Sequence, residues 1–192
     1  METFKQNPFA KLVSQDYLLV ITPSEEVVSE VRRLKDFAKK LIGYYPSFNS
    51  KAHITVNHYY DGKALFFDDR MPVYRSMTNR IDAFEIKICG FDFFEHQGNY
   101  TIYAKVELSQ DIKATFSRFK KVFGADVPQT PHITIARSLS YNRYKLLWYY
   151  FKKQNFECSF YADEIVVLKT PTRSLHTQPM EVETEFKLRN VV

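Results

Sequence analysis

The sequence predicts an α+β domain of two lobes, made of duplicated strand-helix-strand units related by a pseudo-two-fold axis, with antiparallel sheets flanking a central cleft. Three observations predict it. Two four-residue stretches, His53-Ile54-Thr55-Val56 and His132-Ile133-Thr134-Ile135, repeat one pattern. Each is preceded by the same order of elements, a strand from Tyr17 and an amphipathic helix in the first half, and a strand from Tyr100 and another helix in the second. Between and after these units, segments such as Phe84-Glu85-Ile86-Lys87-Ile88 alternate apolar with charged residues, as half-buried strands do.

Taken in order, Tyr17 to Ile21 is a buried strand closed by Thr22-Pro23. Ser24, Glu25 and Glu26 open a helix in which Val27, Val28, Val31, Leu34, Phe37, Ala38 and Leu41 recur at helical spacing until Gly43. A polar loop through Pro46 leads to a strand over about 52–57 that carries the first motif, and a short helix is expected between Val73 and Arg80. Phe84 to Ile88 begins a strand that runs through Gly90 toward Phe94. Tyr100 to Leu108 alternates as a strand, and Ser109 to Val122 is an amphipathic helix with Ile112, Phe116 and Phe119 on one face. Pro128 and Pro131 bracket the loop before the second motif strand, 132–136. Tyr141 to Lys153 is helical, Phe156 to Leu168 holds one or two strands, and a last strand lies at about 180–188. The expected organisation is a single bilobal domain over 1–192, with lobes around the repeats at about 17–94 and 100–168.

Composition narrows the class. The chain has 192 residues, 45% of them apolar, with 13 tyrosines, 17 phenylalanines and only five glycines, enough for one well-packed core. Cys89 and Cys158 are too few for a disulfide framework, lack metal-ligand spacing and read as small buried hydrophobes. No stretch reaches the roughly 20 apolar residues that span a bilayer, and the first residues carry no apolar signal core. The expectation is therefore a cytoplasmic soluble protein with no membrane association and no obligatory protein partner. A net charge of +5 favours an anionic partner without proving nucleic-acid binding.

In a strand successive side chains point to opposite faces, so His53 and Thr55 share one face while Ile54 and Val56 share the other. The same holds for His132 and Thr134 against Ile133 and Ile135. Each motif thus offers an imidazole and a hydroxyl together on an open face, with its apolar partners in the core. Zinc is the competing reading of paired histidines, but neither motif has a carboxylate or cysteine companion at ligand spacing, so no metal or other cofactor is expected. His58, at an odd offset from His53, falls on the other face of a regular strand, and His96 and His176 receive no role. Arg137, two residues past Ile135, is a candidate contact for an anionic ligand, with a solvent-exposed arginine at the strand end as the equal alternative. Most aromatic residues belong to the core; Tyr17, Phe93 and Tyr103 are the candidates for a ring facing the cleft.

The paired motifs, with the setting Thr130-Pro131-His132-Ile133-Thr134-Ile135-Ala136-Arg137 and the strand Phe84 to Phe94 after the first of them, resemble the 2H phosphoesterase superfamily. Its 2′-5′ RNA ligase-like or cyclic phosphodiesterase branch is the most similar, over about Tyr17 to Leu168. The resemblance implies a LigT-like fold in which His53 and His132 are the general acid and base and Thr55 and Thr134 hold the phosphate oxygens. It implies metal-independent hydrolysis of a 2′,3′-cyclic phosphate to a 2′-phosphate on RNA or a nucleotide, or the reverse, 2′-5′ ligation. Two histidines suit such chemistry, because an unperturbed pKa near 6.5 lets either protonation state be populated. An RNA-binding module with little turnover is the alternative, disfavoured by two intact motifs.

Overall fold

The computed structural model describes residues 15–60, 67–124, 130–172 and 180–190. Its elements run β1 (Gln15–Ile21), α1 (Glu25–Ile42), β2 (Ile54–Tyr59), α2 (Phe67–Thr78), β3 (Phe84–His96), β4 (Asn99–Val106), α3 (Gln110–Phe123), β5 (His132–Leu139), α4 (Tyr141–Phe151), β6 (Glu157–Ala162), β7 (Glu164–Pro171) and β8 (Glu181–Lys187). The strands join in the order β6-β3-β4-β5-β2-β1-β7-β8, every neighbouring pair antiparallel. Among the described residues the two four-stranded halves, β6-β3-β4-β5 and β2-β1-β7-β8, meet through one register pair, Ile54 with Ile133.

The halves are not the sequence repeats at 17–94 and 100–168. Helix α1, which links β1 to β2, packs on β5, β6 and α4 in the other half, while α3, which links β4 to β5, packs on β2 and α2. Each repeat therefore donates its helix across the seam, and neither half is a contiguous piece of chain. The reason lies in the apolar faces: Val27, Val31, Ala38 and Ile42 of α1 and Ile112, Phe116, Phe119 and Phe123 of α3 are buried in one core shared by both halves. The short helix expected from Val73 begins earlier, at Phe67, with Pro72 inside it. Cys89 and Cys158 are free and only partly buried on β3 and β6. Pro128 and His176 lie outside the described residues.

All four helices cover one face of the sheet, and the other face is left for the motifs. Ile54, Val56, Ile133 and Ile135 are fully buried in the core, whereas His53, Thr55, His132 and Thr134 keep part of their surface exposed. Register shifts then decide which later residues share the motif face, and three of them bear on the candidate residues. On β3, Ile88 pairs with Val106 but Phe91 with Ala104, so one residue is extra and the faces exchange at Cys89–Gly90, where Gly90 takes φ +69. On β2, Val20 pairs with Thr55 but Leu19 with Asn57. On β5, Tyr103 pairs with Thr134 but Ile102 with Ala136.

Candidate active site

Because Ile54 faces Ile133 across the antiparallel seam, the residues flanking that pair set His53 beside Thr134 and Thr55 beside His132. All four side chains rise on the face opposite the helices, grouped around the pseudo-two-fold axis. The two imidazoles are held in the same manner. His53 Nδ1 lies 2.9 Å from Lys51 O and His132 Nδ1 lies 2.9 Å from Thr130 O. A carbonyl only accepts, so in both rings Nδ1 carries the proton and donates, which leaves Nε2 of the neutral ring as a lone-pair base. Burial holds both imidazole pKa values below the ordinary histidine range, opposed in each case by the backbone hydrogen bond. For His53 the charges of Lys35, His132 and Arg137 push in the same direction as burial.

Of the remaining residues picked from the sequence, two stand in the site and two do not. Arg137 would fall on the core face of a regular strand, but the bulge at Ile135 turns it onto the motif face. Its charge acts on His53 and His58, and its backbone N–H donates to Ser47 Oγ at 2.9 Å. Tyr103 lies directly across from Thr134 with its ring 4.9 Å from that of His132. It is only 3% exposed, and burial, with the nearby Asp92 carboxylate, pushes its phenol up to about 12. Tyr17, by contrast, points into the helix side: it stacks on Phe67 at 4.3 Å and donates to Asp68 Oδ1 at 2.6 Å. Phe93 also points away from the cleft, against Tyr144 and Trp148 of α4. Strict alternation from Ile86 and Ile88 would have opened Phe93 to the cleft; the bulge at Gly90 gives that place to Phe94. Its ring stacks on Tyr103 at 4.2 Å and stands edge-on to His132 at 5.0 Å, with a third of its surface exposed.

Sequence reasoning also passed over Lys35. It occupies an apolar-face position of α1, four residues after Val31, and is 1% exposed. A lysine in the buried stripe of an amphipathic helix was the available signal. Its Nζ donates to Ser47 O at 3.1 Å, Ser50 O at 2.7 Å and Ser50 Oγ at 2.9 Å, fixing the loop that delivers His53. Burial and the charges of Arg32 and Arg137 pull its pKa down to about 8. The same loop, through Ser47, takes the backbone N–H of Arg137. One short loop thus ties α1, the strand of His53 and the strand of His132 together.

These features define a two-histidine, two-threonine site at the seam of a pseudo-symmetric sheet. A profile described as the 2′-5′ RNA ligase superfamily matches residues 23–173, and the chain belongs to that superfamily. Solved structures share the fold: TT0787 of Thermus thermophilus at a TM-score of 0.64 and 15% identity, covering 92% of this chain and 100% of that one. LigT of E. coli in its apo form follows at 0.59 and 12%, covering 91% and 98%. Usb1 of Kluyveromyces marxianus gives 0.52 and 9%, again covering 91% and 98%. LigT has also been crystallised with 3′-AMP, with phosphate and with ATP. No curated protein sequence matches the chain. Membership of this superfamily supports phosphodiesterase-type activity on nucleotides or RNA.

Proposed function

We propose that the protein is a metal-independent phosphodiesterase that opens a 2′,3′-cyclic phosphate on a nucleotide or RNA end to a 2′-phosphate. The observation that carries this reading is the matched pinning of two imidazoles, Nδ1 to the carbonyl two residues earlier in both motifs. It leaves two Nε2 atoms, one from each half of the sheet, to act on opposite sides of one phosphorus. One Nε2 takes a proton from water as its oxygen attacks phosphorus. The bond to the ribose 3′ oxygen breaks, and that oxygen receives a proton from the other imidazole, leaving a 2′-phosphate and a 3′-hydroxyl. Thr55 and Thr134 donate to the non-bridging oxygens, where charge resides in the transition state, and Arg137 adds a cationic contact. The exposed ring of Phe94, backed by Tyr103, offers a stacking surface beside His132 for a base.

Both imidazoles are held toward the neutral form in the free site, so the base is ready before substrate arrives. The phosphate anion then favours the protonated form of its acid partner. That LigT accommodates 3′-AMP and ATP supports nucleotides as the substrate class. The test is turnover of 2′,3′-cyclic mononucleotides, with product position read by ³¹P NMR, before and after exhaustive EDTA treatment. A 2′-phosphate formed at an unchanged rate is expected. Activity lost on chelation and restored by zinc would replace the two-histidine mechanism with metal-assisted hydrolysis.

A further inference from the structure

Among the described residues, two buried side-chain polar atoms have no hydrogen-bond partner: Nε2 of His58 and Oγ1 of Thr170. Buried polar atoms are ordinarily paired, so each asks for a partner that the fold itself does not supply. Both lie on the motif face. On β1, Val20 pairs with Thr55, Leu18 with His58 and Leu168, and Asp16 with Thr170. Asp16, Leu18 and Val20 alternate, so their partners all share the face of Thr55. His58 is there only because of the bulge at Val56, and since its partner Leu18 is two residues from Val20, the partner of Thr55, it stands roughly 7 Å along the sheet from Thr55. Across β1, β7 and β8 the next row is apolar: Leu18, Leu168 and then Val182, which is 63% exposed. Tyr60 flanks the row, its ring 4.9 Å from that of His58.

We infer that this patch is a nucleobase-reading subsite, in which the base lies over Leu18 and Leu168 and its hydrogen-bonding edge meets His58 Nε2 and Thr170 Oγ1. The inference rests on the phosphodiester reading of the neighbouring motifs and adds to it a substrate-selecting element on the β2 side. A second phosphate is the wrong occupant. The buried carboxylate of Asp16, which accepts from Thr172 Oγ1 at 3.0 Å, pairs in register with Thr170, two residues from Leu18, the partner of His58, and disfavours an anion there. A neutral imidazole and a hydroxyl each act as donor or acceptor, which suits a base edge carrying both.

The test measures dissociation constants of the four nucleoside 3′-monophosphates and of inorganic phosphate for the wild type, His58→Phe and Thr170→Val. Turnover of the four 2′,3′-cyclic mononucleotides is followed alongside. Thr170→Val removes an unpaired hydroxyl at constant shape, so its folding is secure even if His58→Phe folds poorly. The wild type should prefer one base over the weakest by about tenfold or more, about a factor of ten per hydrogen bond. Each variant should lose its share of that preference. Equal affinity for all four bases, a preference that Thr170→Val leaves undiminished, or no nucleotide binding overturns the subsite. So does weakened binding of inorganic phosphate in the variants, which would mark an anion site. Base preference in binding without any cyclic-phosphate turnover would refute the catalytic reading and leave the subsite standing; turnover with flat binding would refute the subsite alone.

Discussion

Replacing Lys35 with methionine keeps most of the side-chain volume and removes the charge, and its effect should change with pH in a calculable way. In the fold the ammonium has a pKa of about 8 against an ordinary 10.5. A lysine depressed in this way costs the folded state most at low pH, and the cost fades as pH rises toward the unfolded value. The shift corresponds to about 3 kcal/mol at pH 7 and about 1 kcal/mol at pH 10. Methionine escapes that cost but strands an acceptor. Ser47 O keeps the hydroxyl of Ser50 at 2.8 Å, so Ser50 O is the group that loses its donor, at about 1–3 kcal/mol. The variant should therefore match or exceed the wild type in stability at pH 7 and fall by about 2 kcal/mol relative to it by pH 10. For a chain of this size that is a relative drop in Tm of about 4–8 °C. Loosening the loop before His53 should lower kcat roughly 10–10²-fold, and removing the charge should raise the His53 pKa. Thermal melts at the two pH values and NMR titration of the imidazole C–H resonances measure both. A Tm difference that is the same at pH 7 and pH 10, or a His53 titration that does not move, would refute this role for Lys35.

Three further outcomes follow from the same geometry. Because burial lowers the pKa of both His53 and His132, kcat/KM, which reports the free enzyme, should peak on the acid side of 6.5. The kcat profile should peak at higher pH, since bound phosphate favours the protonated acid; a kcat/KM that climbs through pH 8 contradicts this. Thr55→Val and Thr134→Val should each lower kcat roughly 10–10³-fold with little change in Tm, checked by steady-state kinetics and melting. Phe94→Ala should raise KM for a cyclic mononucleotide about tenfold or more through lost stacking while Phe93→Ala, which truncates a half-buried ring, destabilises the fold by about 1–3 kcal/mol, which denaturant unfolding would distinguish.

The strands and helices were legible because their apolar residues keep strict periods, and the two motifs because Ile54, Val56, Ile133 and Ile135 fix which face the histidines and threonines take. What alternation hides is the bulge. One extra residue makes no demand on local composition, yet it moved Phe94 rather than Phe93 into the cleft, brought His58 onto the face of Thr55, and turned Arg137 toward the site. Gly90 at φ +69 is the sole glycine at one of these three places. Tyr17, a cleft candidate from the sequence, instead stacks on Phe67, which comes from a helix whose start the sequence did not reveal. The exchange of α1 and α3 between halves was equally hidden, since the apolar face of a helix shows that it packs and not on which strands.

The central claim, that His53 and His132 work as one acid-base unit on a cyclic phosphate, is tested most directly by single-turnover hydrolysis of a 2′,3′-cyclic mononucleotide by His53→Ala, His132→Ala and the double variant. Each single substitution should slow the chemical step about 10²–10⁴-fold, with Tm close to that of the wild type. The double variant should be scarcely slower than either single one, because the two imidazoles act in the same step. Turnover that persists in either single variant, or losses that multiply fully in the double one, would contradict the account.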